Sequence, residues 1–106
     1  MNCSRNDVVL LPIPFTDLTS RKVRPAIIIG RSGADLFLVP ISSVLANTDF
    51  PVTEWRAAGL NVPSGVKAQL ATVEEKLVVK IVGKLSAADS QLLNERLRMW
   101  LQLSKV

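Results

Sequence analysis

Three features of the 106-residue sequence predict a mainly β protein. Short β-branched and leucine runs recur between proline, glycine and asparagine clusters, one central segment alternates apolar with polar residues, and the C-terminal end carries a single capped amphipathic pattern. Together they predict a small, strongly bent antiparallel sheet of about five or six strands with one C-terminal helix, an SH3-like antiparallel β-barrel or a near relative.

Asp7 to Pro12 is the first strand, because V-V-L-L-P-I is too short for a helix and is ended by Pro12 and Pro14. Phe15 to Lys22 holds Thr16, Asp17, Thr19 and Ser20, whose side chains compete for backbone hydrogen bonds and favour a loop. Pro25 then suits the start of a strand, where its missing N–H costs least, and Ala26 to Ile29 reads as buried on both faces. Arg31 to Ala34 is a turn into the returning strand D-L-F-L-V-P-I, which makes an antiparallel hairpin with Ser42 and Ser43 just past its end.

Ala46 to Asp49 reads as a turn, and Pro51 marks the next segment as an edge strand. W-R-A-A suits one helical turn capped by Gly59, and Asn61 to Gly65 is loop punctuation. From Val66 a half-exposed strand is expected, with Val66, Ala68 and Leu70 inward and Lys67, Gln69 and Ala71 on the wet face. Glu74 to Lys76 turns into a last strand, L-V-V-K-I-V-G-K-L. Ser86-Ala87-Ala88-Asp89 has the form of a capping box, in which the Ser86 hydroxyl accepts from the Asp89 backbone and the carboxylate reaches back. The helix it starts presents Leu93, Leu97, Trp100 and Leu101 on one face, widened by Leu92, Met99 and Leu103, to the sheet or to a second copy.

Composition narrows the function. A 48% apolar and 21% charged chain is not disordered, and its length suits one domain spanning 1–106. No apolar run approaches the ~20 residues of a membrane helix, and the N-terminus lacks a secretory apolar region, so a cytoplasmic protein is expected. A single Cys3 agrees with a reducing compartment and is expected in a frayed terminus. With no histidine, neither a metal site nor a cofactor is expected. A net charge of +4 and a pI near 9.7 permit a nucleic-acid partner. Trp100 lies at core spacing, and Trp55 is read as packed rather than base-stacking.

Five fragments in order, V-V-L-L-P-I-P-F-T-D-L (Val8 to Leu18), V-R-P-A-I-I-I (Val23 to Ile29), P-I-S-S (Pro40 to Ser43), E-W-R-A-A-G-L (Glu54 to Leu60) and V-G-K-L-S (Val82 to Ser86), resemble the PemK/MazF family. The likeness runs from about Asp7 to Leu103. These are toxins of bacterial type II toxin–antitoxin systems. The resemblance implies a barrel of the PemK/MazF/CcdB type, a homodimer, metal-independent cleavage of single-stranded RNA, and a cognate antitoxin whose acidic tail occupies the RNA groove. By the same resemblance the family's arginine in the R-P motif falls on Arg24, and its strand-end Thr or Ser falls on Ser42, with Ser43 beside it. An arginine and an acid that some members carry in a later strand are replaced here by Lys67 and Gln69. The chain also has Arg5-Asn6-Asp7 where relatives have R-G-D, and Arg21-Lys22 where many place a carboxylate.

Metal-free RNA cleavage uses the substrate's 2′-hydroxyl as nucleophile, so the protein must take a proton, give one, and stabilise charge on phosphorus. Arg24 suits the last task, because a guanidinium fork fits phosphoryl oxygens but is no base at neutral pH. Ser42 is a second catalytic candidate, to donate to the same phosphate or position the 2′-hydroxyl; the alternative for it is a strand-end hydroxyl bonded to its own backbone. Arg21, Lys22, Ser43, Lys67 and Gln69 are RNA-binding candidates. Asp17, the nearest carboxylate in the loop, is the candidate base. Two other readings stay open: a non-enzymatic toxin of the same fold that poisons a protein such as a topoisomerase, and an inactive nucleic-acid-binding barrel.

Overall fold

The computed structural model describes residues 1–12 and 22–103, so the expectations placed on Phe15 to Arg21, including Asp17 and Arg21, lie outside the described residues. Among the described residues seven strands and one α-helix follow in order: β1 (Asp7–Pro12), β2 (Val23–Ser32), β3 (Asp35–Ser42), β4 (Phe50–Pro51), β5 (Gly65–Val66), β6 (Ala71–Glu74), β7 (Lys80–Lys84) and α1 (Ala87–Leu101). The sheet is antiparallel and runs β4-β5-β3-β2-β1-β7, with β6 on the first half of β3. This is the mainly β architecture with a C-terminal helix that the sequence predicts; among the described residues the sheet bends without closing on itself.

β2 and β3 form the expected hairpin, tighter than expected, because strand pairing reaches Ser32 and Asp35. Only Gly33 and Ala34 turn, and Gly33 takes a φ of +59°, which suits glycine at the first central position of a two-residue turn. The β2–β3 register shifts between Ile28 and Gly30, and the β1–β7 register between Val8 and Val9. Each shift inserts one residue and bends the sheet.

Alternation along the central strands divides the interior into two cores. Val8, Ile27, Val39 and Ile41 face Phe50, Val52, Val66 and the helix residues Leu93 and Leu97. Val9, Leu11, Ala26, Ile28, Leu36 and Leu38 face the other way, onto Val73 and Val78. Ala26 to Ile28 is therefore buried on both faces, as the β-branched run predicts, whereas Ile29, the last residue of that run, lies at the register shift and is half-buried.

Several local expectations change. The single strand expected from Val66 is two, β5 and β6, separated by a bend. Ala68 and Leu70 are exposed while Lys67 and Gln69 are half-buried, the reverse of the expected sides, because the chain leaves the ladder after Val66. The last strand starts at Lys80, after a 3-10 turn at Glu75–Leu77. Ser86 caps α1 by accepting from the Asp89 N–H at 3.1 Å, but the Asp89 carboxylate does not reach back. It binds the turn after β4. Leu101, Met99 and Leu103 are exposed, because the buried face of the helix is centred on Leu93 and Leu97, with Leu92 and Trp100 packed at its margins. The end itself is a Schellman motif, with Gln102 left-handed and the Leu103 N–H on the Arg98 carbonyl at 2.9 Å.

Cys3 is buried rather than frayed. Its N–H donates to Glu75 Oε2 at 2.8 Å and its carbonyl accepts from Arg31 Nη1 at 2.8 Å. Arg31 also meets both Glu75 oxygens, at 2.9 and 3.0 Å, so three distant segments share one bidentate ion pair. Burial, then the Glu75 carboxylate, raises the Cys3 thiol and keeps it protonated. The Arg31 guanidinium, with the Cys3 N–H, lowers the Glu75 carboxyl from its ordinary 4.5 to about 2. A carboxyl depressed by folding stabilises the fold fully above pH 4.5 and loses that contribution as pH falls towards 2. The urea midpoint of the wild type is therefore expected to drop more steeply across that window than that of Glu75→Gln. Parallel profiles would show that the pair does not couple to folding.

Candidate functional site

The cleft that gathers the candidate catalytic residues opens where β2 and β3 part. Their ladder ends at the Ala26–Pro40 pair; continued by two residues, it would set Arg24 opposite Ser42. It stops beside two prolines, Pro25 and Pro40, neither of which has an N–H to donate. Beyond that point Arg24 and Pro25 stay with β1, opposite Leu11 and Leu10, while Ile41 and Ser42 pair with Val66 and Gly65 of β5. The result is a cleft of about 260 Å³ lined by Arg24 and Pro25 from β2, Ser42, Ser43 and Val44 from the end of β3, and Leu60, Asn61 and Val62 from the loop after β4.

Arg24 is exposed at the start of its strand, so its charge is held in solvent above a rigid backbone. Ser42 Oγ accepts from the Val44 N–H at 3.0 Å, the local backbone bond that the alternative reading anticipates. A hydroxyl that accepts still has its own proton to donate, so the bond orients Ser42 rather than occupying it. At the base of the cleft Ser64 is buried, its Oγ donating to the Val62 carbonyl at 2.9 Å and its carbonyl accepting from the Val52 N–H at 2.8 Å. Beside it Gly65 leaves no room for a side chain, because a Cβ there would stand 2.4 Å from Thr48 Oγ1.

The structure thus brings together Arg24, Ser42 and Ser43. Lys67, Gln69 and Lys22 are not among the cleft-lining residues. Lys67 is fixed by its N–H on the Pro40 carbonyl at 3.0 Å, and Gln69 Oε1 is buried without a hydrogen-bond partner among the described residues. No carboxylate lines the cleft among the described residues, and no group of three or more Cys, Asp or Glu there could hold a metal. Asp17 and Arg21 belong to the connection between Pro12 and Lys22, outside the described residues. The wall from Leu60 to Val62 carries no signal in the sequence, where Asn61 to Gly65 reads only as loop punctuation. A hollow of about 450 Å³ elsewhere, lined by Ile29, Phe37, Leu70, Ala71 and Thr72, has no titratable side chain.

The turn that leads into the Leu60 wall spans Thr53 to Gly59 and closes through the Ala58 N–H on the Glu54 carbonyl at 3.1 Å and the Leu60 N–H on the Trp55 carbonyl at 3.0 Å. Gly59, at a φ of +85°, ends it as the sequence predicts. Trp55 and Trp100 both pack against the core, and Trp100 Nε1 donates to Asp49 at 3.1 Å.

Among solved structures, 35 chains match this one. The toxin MazF-mt6 of Mycobacterium tuberculosis is 20% identical with a TM-score of 0.72, covering 92% of this chain and 98% of its own. An endoribonuclease in complex with its cognate antitoxin from Mycobacterial species is 21% identical with a TM-score of 0.72, covering 100% of both chains. These likenesses concern the fold. A comparison with curated protein sequences finds no match. The family model of the PemK-like, MazF-like toxins of type II toxin–antitoxin systems matches residues 4–101, a span that takes in β1, both strands of the hairpin, the turn behind the cleft and all of α1. The motifs that meet at the cleft are thus parts of one family pattern, and the chain belongs to the PemK-like, MazF-like toxins of type II toxin–antitoxin systems.

Proposed function

We propose that this toxin is an endoribonuclease that cleaves single-stranded RNA without a metal ion, with Arg24 and Ser42 as its catalytic residues. The observation that carries the proposal is the convergence of Arg24 and Ser42, from strands that part at Pro25 and Pro40, on one cleft. In this reading the substrate's 2′-hydroxyl attacks phosphorus, the Arg24 fork stabilises charge on the phosphoryl oxygens as it develops, and Ser42 donates a hydrogen bond to the same group. Arg21, Lys22 and Ser43 hold the backbone on either side, Lys67 and Gln69 contact RNA beyond the cleft, and Asp17 is the candidate base. The chain acts as a homodimer in the cytoplasm and is held inactive by a cognate antitoxin. Exposed Met99, Leu101 and Leu103 at the end of α1 support a protein partner.

The test is incubation of purified toxin with a long single-stranded RNA in EDTA, followed by mapping of the ends. Cleavage at defined positions is expected, with activity unchanged by the chelator. RNA left intact would favour the second reading, a non-enzymatic toxin acting on a protein target, for which the absence of a lining carboxylate among the described residues speaks. Ser42→Ala is expected to slow cleavage by about tenfold, the worth of one hydrogen bond to a charged group. An unchanged rate would move the donor's role to Ser43.

A further inference from the structure

Among the described residues Asp89 is the buried carboxylate, at 2% exposure, and the proposed reaction does not use it. Its backbone N–H serves the start of α1 through Ser86 Oγ. Its carboxylate serves another segment: Oδ1 accepts from the Thr53 N–H at 3.1 Å and the Thr53 hydroxyl at 2.7 Å, and Oδ2 accepts from the Glu54 N–H at 2.9 Å. Those N–H groups open the turn that runs to Gly59, so Asp89 caps that turn from a different element, as an N-cap residue caps its own helix. Burial pushes the carboxyl up, but the bonds from Glu54 and Thr53 prevail and hold it below its ordinary value, so it is ionised at neutral pH.

The far end of the same turn is wedged against β7. An added Cβ on Gly59 would lie 2.2 Å from the Val82 carbonyl oxygen, so the backbones touch with nothing between them. The chain leaving that contact is Leu60-Asn61-Val62, the cleft wall opposite Arg24 and Ser42. A wall built on a loop holds its place only if the loop is fixed at both ends, here by Asp89 at the head and Gly59 at the tail.

We propose that Asp89 is a positioning residue for the cleft, holding the head of the Thr53–Gly59 turn so that Leu60, Asn61 and Val62 present a fixed wall to the RNA beside the reacting phosphate. The inference rests on the endoribonuclease reading. Asp89 touches neither Arg24 nor Ser42, so its loss acts on substrate binding more than on the chemical step. Asp89→Asn isolates the effect: the backbone bond to Ser86 survives and the shape is kept, but the amide NH₂ is a donor and cannot accept from a second N–H.

The experiment compares wild type, Asp89→Asn and Thr53→Val on a single-stranded RNA oligonucleotide containing a cut site mapped with the wild type. Circular dichroism fixes a temperature at which each is folded. Asp89→Asn is expected to raise KM about tenfold with kcat within about twofold, and to speed amide exchange at Gly59 to Val62 while the β2–β3 ladder stays protected. Thr53→Val, which removes only the hydroxyl bond, is expected to shift KM in the same direction by less, and decides the matter if Asp89→Asn fails to fold. An unchanged KM in a folded variant, or unchanged exchange at Gly59 to Val62, overturns the inference. A wild type that leaves the RNA intact overturns the endoribonuclease reading itself, a result distinct from an active wild type with an indifferent variant.

Discussion

Arg24→Ala is expected to lower the rate of RNA cleavage by about 10²-fold or more, the usual cost of removing a preorganised donor from a charge-developing transition state, and to abolish growth arrest at equal expression. The side chain is exposed, while its backbone is held opposite Leu11, so truncation removes the guanidinium without opening the core. The unfolding midpoint should stay close to that of the wild type. Arg24→Lys is a sharper comparison, because it keeps the charge but loses the planar fork; it should recover RNA binding better than rate. Toxicity retained by a folded Arg24→Ala protein would remove Arg24 from the chemistry.

Gly83→Ala is expected to destabilise the fold by roughly 3 kcal/mol, the upper range for overpacking a tight contact. A Cβ at Gly83 would lie 2.4 Å from the Ala58 carbonyl oxygen and 3.0 Å from the Gly59 nitrogen, both backbone atoms that cannot swing aside. Either β7 shifts from β1 or the Thr53–Gly59 turn lifts away, carrying the cleft wall with it. Gly30→Ala is the control: its nearest contact would be Phe37 Cδ2 at 3.6 Å, an ordinary van der Waals distance. Denaturant unfolding of the two variants side by side measures the difference, and equal midpoints would show that the two backbones are not in contact in solution.

Features set by neighbours in sequence were legible in it. The β-branched runs at Val8 and Ala26, the glycine at the hairpin turn and the serine at the head of α1 each act within a few residues, so pattern alone locates them. The break between β5 and β6 was not legible, because alternation from Val66 to Ala71 persists although only its two ends find partner strands, Val66 in Ile41 and Phe50 and Ala71 in Leu38. Asp89 shows the same limit: the motif predicts its N–H on Ser86, but the carboxylate's destination lies 35 residues away and depends on how α1 lands on the sheet. Cys3 is buried for a like reason, through Arg31 and Glu75. At the cleft, Arg24 and Ser42 were found through a family motif. Asn61 and Val62 carried no such signal, since their place follows from the contact of Gly59 with β7.

The pairing of β1 with β7 also bears on when the toxin becomes a folded object. Asp7 lies opposite Lys84, so the first strand waits for a partner made much later in synthesis. At about 5–20 residues per second, ribosomal synthesis separates the two by roughly 4–15 s. Throughout that interval one edge of β1 has no strand to pair with, and the turn behind the cleft has neither β7 nor Asp89 to rest on. A nascent toxin therefore has no complete cleft until β7 and the start of α1 have been made, and a chain cut short before β7 would carry an open, apolar strand edge prone to aggregation instead of a formed cleft.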